Sequence, residues 1–440
     1  MIGLTRKSVI VIPLIICWII LPTKVAIGFT LLLVCVEIGL IILVNLLRSR
    51  FPWLITERDL SPNLSPEGLQ KFFKHSYDPE LGWVRKPHTS GEESSRFGKT
   101  SYNINEFGSR CNPGHEHLPS EISFYGDSFT FGRQVNDNES AIWHLSEKMN
   151  NHILNFAVGN YGLDQALLRL QKEFANHPTR MVIIGVVPST IVRILSVWKH
   201  YDEYGNTFGF KPRYVIEGDS LKLVPNFIDN KDKFAHYTDY IEEIKSYDPF
   251  FSTKFQKDIF TFPYLGSLLT NPLRHISLIS LVIWDWLTHS NDSPKTPYPM
   301  PMSVIMKYNL KLRVNLFRHD LDATALLGSL IKSFKELSKL KGFRPVLLWT
   351  PQKDDVEFIR KHGNYYDSFI TEMRSVLSVI DLTEGLITQD ELNYFYCDDN
   401  QYGGHMSPEG NKWMCDYIYN SLSDAGHLSK TSYGDFRCWI

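Results

Sequence analysis

At 440 residues, 43% hydrophobic and 21% charged, the chain has room for one large domain or two ordinary ones plus attachments, and it can bury a sizeable core. Its 46 basic and 48 acidic residues leave a net charge of −2, which gives no support to nucleic acid as a partner. Six cysteines with no Cys-x-x-Cys pair exclude a disulfide scaffold.

The N-terminus is apolar. Ser8 to Thr23 carries no charge, and Val25 to Leu47 carries only Glu37 before Arg48 and Arg50. A bilayer crossing needs about 20 apolar residues, which the second run supplies. The first run is shorter and reads as the other arm of a hairpin turning at Pro22-Thr23-Lys24. Lys24 and the lack of a small-x-small site argue against a cleaved signal peptide. Residues 1–50 are thus expected to form a transmembrane hairpin that anchors the protein. Glu37 would cost roughly 2.5–3.5 kcal/mol at mid-bilayer and is expected to face the neighbouring helix. Arg6, Lys7, Arg48 and Arg50 flank the outer ends, so the positive-inside rule favours a cytoplasmic position for the rest of the chain.

Residues 51–120 read as a juxtamembrane helix followed by short strands and loops. His115-Glu116-His117 within them has no further ligand at metal spacing and reads as a solvated loop. Strand-like runs then appear at Ile122–Tyr125, Ile153–Val158, Met181–Val187, Pro345–Trp349 and Val376–Leu382. Helical patterns fall between them at Ala141–Asn150, Gln165–Ala175, Ala323–Leu340 and Val356–Arg374. This alternation implies an α/β fold with a five-stranded parallel sheet covered on both faces. It breaks at about 195–310, read as an insertion. A β excursion spans Gly209 to Pro225, an amphipathic helix spans Ile276–Leu287, with a third membrane segment as the alternative, and Ser293 to Pro301 is proline-rich. Trp284 and Trp286 suit core packing better than stacking on a sugar. The insertion is expected to form a lid, a substrate surface or mere decoration, and residues 426–440 a C-terminal tail.

Two short stretches carry chemistry. Gly126-Asp127-Ser128 is a turn between a strand and a helical pattern, where open α/β sheets bind ligands and a helix start adds partial positive charge. The same tripeptide at Gly218-Asp219-Ser220, between two β-like runs, reads as a plain turn. His405 follows Gly403-Gly404 just before a helical pattern, with Asp398 and Asp399 upstream. A serine hydroxyl needs a base at neutral pH, and an imidazole needs its other nitrogen held in the right tautomer. One segment here offers both the base and an orienting carboxylate.

With these blocks, and Asn155-Phe-Ala-Val-Gly159-Asn160-Tyr-Gly162 between them, the chain resembles the SGNH (GDSL-type) hydrolase family. The resemblance covers roughly 121–200 and 311–425. It implies a three-layer sandwich with a flavodoxin-like sheet, Ser128 as nucleophile, His405 as general base and an upstream aspartate as orienting acid. It also implies an oxyanion hole built from the Ser128 N–H, a second-block N–H and a third-block side chain. The second-block donor falls at Gly159, Asn160 or Gly162. The third block lacks the usual asparagine and offers Ser189 or Thr190 in its place. The position three before His405, where the family keeps its aspartate, is Tyr402, so Asp399, then Asp398, is the expected acid. A dyad without a carboxylate is the alternative. No metal or cofactor is expected.

The function implied is a serine esterase acting on O-acyl esters of a small molecule, glycan or lipid through an acyl-Ser128 intermediate. Transfer of the same acyl group to a sugar hydroxyl is the close alternative. A non-catalytic glycan-binding or assembly protein that keeps the fold is the reading from another class. By analogy with membrane-attached members acting on bacterial surface glycans, the expected location is a bacterial inner membrane.

Overall fold

The computed structural model describes residues 6–48, 54–288, 299–398, 403–430 and 436–438. It divides into two compact units. One comprises Met1–Leu64, Trp198–Phe208 and Ile241–Tyr308, and the other Ser65–Val197, Gly209–Tyr240 and Asn309–Ile440.

The first unit begins with helices α1 (Arg6–Ile20) and α2 (Thr23–Arg48). Over Thr23–Leu46, α2 has a mean hydropathy of 2.8 and is long and apolar enough to cross a membrane. α1 has 15 residues and so is about 22 Å long, short of a hydrocarbon core of about 30 Å. Glu37 faces a different neighbour from the one expected. Its carboxylate accepts from the Tyr264 and Leu265 N–H groups, at the start of helix α3 (Tyr264–Thr270). Helix α4 (Pro272–Thr288) follows and contains the expected Ile276–Leu287 segment. Trp284, expected in a core, is exposed. The proline-rich stretch lies outside the described residues up to 298, and Pro299 opens the helix to His319.

In the second unit the alternating pattern folds as one parallel sheet. Its strands are β1 (Ile122–Gly126), β2 (Leu154–Asn155), β3 (Met181–Val186), β4 (Arg344–Trp349) and β5 (Ser378–Asp381). They lie in the order β2-β1-β3-β4-β5, all parallel. This is the flavodoxin-like order, which reverses direction between β1 and β3 and opens a crevice at their carboxyl ends. The register sets Gly126 opposite Gly185 there.

Alternate residues of the strands feed the two faces. Ile122, Phe124, Ile183, Val346 and Leu348 pack with Ile142, Leu145, Met414 and Ile418, from helices Ala141–Met149 and Pro408–Asp424. Helices Leu163–Glu173, Leu321–Lys341 and Asp367–Arg374 cover the other face. The result is the three-layer sandwich.

Two expected elements differ. The pattern at Val356–Arg374 forms two helices, because Gly363 (φ 80°) ends the first and the Asn364 side chain bonds the Tyr366 N–H. Only Leu154–Asn155 of the Ile153–Val158 run pairs as a strand. There the Asn155 side chain accepts from the Ala157 N–H, while the Phe156 and Val158 N–H groups still donate to the Phe124 and Gly126 carbonyls of β1. Gly218-Asp219 is the plain turn expected, joining the hairpin strands Arg213–Glu217 and Ser220–Val224.

Candidate active site

The site begins with two glycines. Gly126 has φ 144°, and a Cβ on it would lie 2.0 Å from the Gly185 carbonyl oxygen, so only glycine lets β1 leave the sheet so close to β3. Asp127 then caps the short helix Ser128–Phe131, accepting from the Phe129 N–H at 2.9 Å. Its other oxygen accepts from the Val187 N–H at 2.9 Å and meets Arg193 at 3.2 Å. Asp127 thus ties the ends of β1 and β3 together across the crevice. Burial pushes its carboxyl up, against the pull of Arg193 and the amide bonds.

Ser128 stands at this switch point and is 3% exposed. Gly159 faces it: a Cβ there would come 3.9 Å from Ser128 Cβ and 3.8 Å from Arg133 Cδ. Asn160 adopts φ 65°, and Trp83 Nε1 donates to the Gly159 carbonyl at 2.9 Å, fixing the loop. Among the described residues, no acceptor takes the N–H of Ser128, Gly159 or Asn160. Gly162 instead precedes helix Leu163–Glu173 as its cap residue.

The two third-block hydroxyls divide. Thr190 Oγ1 accepts from the Leu163 N–H at 2.9 Å and so holds the second block to the third. Ser189 Oγ is buried and has no hydrogen-bond partner among the described residues.

His405 packs its ring against Phe129, the neighbour of Ser128, with centroids 4.9 Å apart, and is 6% exposed. Its Nδ1 lies 2.8 Å from Gln134 Oε1, and its own main-chain N–H donates to the same atom at 3.0 Å. The main-chain donor identifies that atom as the amide oxygen, so Nδ1 must carry the ring proton and Nε2 the lone pair. Gln134 is itself fixed: its Nε2 donates to the Ser94 carbonyl and its N–H to Glu93, whose other oxygen takes Arg133 Nε at 2.6 Å. Burial, then Arg133 and Arg193, hold the His405 imidazole well below the usual histidine range.

Of the two expected acids, only Asp398 lies among the described residues. Asp398 is not hydrogen-bonded to His405. Its N–H donates to the Gly403 carbonyl at 2.9 Å, and its Oδ2 lies 2.4 Å from where a Gly404 Cβ would stand. Gly403 and Gly404, at φ 78° and 66°, turn the chain so that Gln134 reaches the ring first. Asp399 lies outside the described residues.

Gln134 and Arg133 directly follow Gly132 of the first block, and that adjacency is their only trace in the sequence. Glu93 and Ser94, from the hairpin strand Ser90–Ser95, leave none. His115 departs from the solvated-loop reading: it is buried and pairs with Glu147 Oε1 at 2.8 Å. Among the described residues no cluster of three or more His, Cys, Asp or Glu is placed to hold a metal.

No family model matches the chain and no curated protein matches it. Solved structures do. The solved structures it is similar to include GDSL-type hydrolases. A lipolytic protein of the G-D-S-L family from Desulfitobacterium hafniense DCB-2 is 13% identical, with a TM-score of 0.29, covering 68% of this chain and 98% of its own. The acetyl xylan esterase AlAXEase is 9% identical, with a TM-score of 0.32 and coverages of 68% and 98%. The lipase/acylhydrolase from Enterococcus faecalis is 11% identical, with a TM-score of 0.30 and coverages of 70% and 97%.

Proposed function

We propose that this chain is a membrane-anchored serine esterase of the GDSL type that cleaves O-acyl esters. The observation that carries the reading is the Gln134–His405 contact, which leaves a neutral imidazole with its lone pair at Nε2. Its ring packs on Phe129, next in sequence to a serine at a helix start whose N–H, with those of Gly159 and Asn160, has no acceptor among the described residues. Ser128 Oγ attacks the ester carbonyl and its proton passes to His405 Nε2. The developing oxyanion is met by the N–H groups of Ser128 and of Gly159 or Asn160, and by the Ser189 hydroxyl. Collapse breaks the bond to the alkoxy oxygen, which leaves as the alcohol with the proton from Nε2. Water, deprotonated in turn by His405, then releases the acid from acyl-Ser128.

Gln134 takes the place of the orienting acid. It fixes the tautomer as a carboxylate does but offers no charge to the imidazolium, as the asparagine of Cys-His-Asn proteases does. Acyl transfer to a sugar hydroxyl is the second reading, favoured by the burial of Ser128 and His405, which limits access of water. The anchor is α1 with α2, in a bacterial inner membrane with its charged ends and catalytic unit in the cytoplasm.

A fluorophosphonate probe tests the serine. The full chain in detergent should be labelled, and Ser128→Ala should not. Folded wild type that takes no label overturns the enzyme in favour of a binding protein.

A further inference from the structure

We infer that the insertion helices α3 and α4 are a second lipid-contacting element, whose outer face lies against the acyl chains of the bilayer that α2 enters. This rests on the reading of α1 and α2 as a bilayer anchor.

The first observation is where α3 starts. Glu37 lies about 21 Å along α2 from Thr23, at a rise of about 1.5 Å per residue, well inside the apolar Thr23–Leu46 stretch. A bare carboxylate there is costly. It is met by the Tyr264 and Leu265 N–H groups, so the positive end of α3 docks on the span itself. Arg6, at the far end of α1, reaches the same segment: Nη1 donates to Thr261 Oγ1 at 2.8 Å and Nη2 to the Gln256 carbonyl. A Cβ on Gly266 would lie 2.4 Å from the Arg6 carbonyl oxygen, so α3 and α1 touch backbone to backbone. α1 therefore ends where α3 begins, while α2 runs on past Glu37. Leu43 of α2 and Ile279 and Ile283 of α4 then share one apolar cluster. The insertion takes up the flank of α2 that α1 is too short to cover.

The second observation is that α4 is turned inside out for water. Its charged Arg274 and its His275 are buried, bound to Asp258 at 3.4 Å and to the Asp258 carbonyl at 3.1 Å. The positions it exposes between 272 and 280 are Pro272, Leu273, Ile276, Ser277 and Ser280, none of them charged. Leu273 is 74%, Ile276 52% and Leu287 65% exposed, at helical spacing along one stripe, with Leu269 and Phe262 exposed just before it. A water-facing helix carries its charges outward. This surface is continuous in kind with the exposed Leu32, Ile38 and Ile42 of α2, which commits it to lipid rather than to a soluble partner.

The test places a diazirine amino acid at Leu32, Ile276 and Leu340, one at a time, in the full chain in phosphatidylcholine–phosphatidylglycerol vesicles. Illumination makes a carbene that inserts into whatever is adjacent, and mass spectrometry reads the adduct. Leu340 is an exposed residue of helix Leu321–Lys341 and serves as the water control. The expected result is phospholipid adducts at Ile276 at no less than half the level at Leu32, and water adducts at Leu340. Lipid at Leu32 with the Leu340 pattern at Ile276 overturns the inference alone. So does a covalent dimer at Ile276 without lipid, which would put a second copy of the chain on this face. Water at both Leu32 and Ile276 overturns the anchor and the inference together.

Discussion

Gln134 is the residue on which the proposed chemistry turns. It stands at φ 66°, a left-handed conformation uncommon for a residue of this kind, and its oxygen serves both donors of His405. Burial, then Arg133 and Arg193, hold the imidazole of His405 well below the usual histidine range. A general base works when unprotonated, so kcat/KM on p-nitrophenyl acetate should stay flat as pH falls through 6.5 and drop only at lower pH. Gln134→Glu puts a negative charge against Nδ1–H. Its acid limb should move up, towards ordinary histidine values, whereas a purely structural Gln134 leaves the limb where it was. Gln134→Ala frees the ring to adopt either tautomer and should lower kcat by about 10²-fold or more. If the Ser189 hydroxyl is the oxyanion donor proposed, Ser189→Ala should cost about 10²-fold in kcat with little change in KM. Thr190, already engaged with Leu163, should affect stability before rate.

Among the elements, the β1–β3 pair does most to place the site. Gly126 lets β1 pass close to β3, and Gly185 lets the helix Ser128–Phe131 pass close to β3, since a Cβ on Gly185 would lie 2.1 Å from Thr130 Oγ1. Gly126→Ala should therefore destabilise the fold by about 3 kcal/mol or more, read as a lower Tm in detergent, with residual activity falling alongside. The hairpin strand Ser90–Ser95 matters for a different reason. It forms outside the sheet, yet its Glu93 and Ser94 hold Arg133 and Gln134. Strand positions were legible because buried parallel strands are short apolar runs, and Met181–Val186 and Arg344–Trp349 stand nearly where their hydrophobicity put them. Helix ends were less so. The break at Gly363 was visible only as a single glycine inside an otherwise helical pattern.

For the molecule as a whole, the first unit joins the N-terminal helices to an insertion some 200 residues later in the chain. Anchoring through α2 predicts that carbonate washing leaves the protein in membranes and that only detergent releases it. A reporter fused after Ile440 should be active in the cytoplasm; activity only on the far side would reverse the sidedness. The bond between Glu37 and the start of α3 had no trace in the sequence beyond an acidic residue in an apolar run, because its partners are main-chain N–H groups.

The sequence by itself determined the layered parallel fold, the apolar N-terminal run, and the candidacy of Ser128 and His405. These follow from hydrophobic period, length and residue type, which local chemistry writes directly into the chain. What only the tertiary structure decided is who touches whom. Asp398 is the nearest described acid upstream in sequence, yet His405, after a pair of left-handed glycines, meets an amide 271 residues away. Ser189 and Thr190 looked equivalent until Leu163 claimed one of them. Hydrogen bonds made across such separations depend on loop geometry and on which donor arrives first, and neither has a period to read.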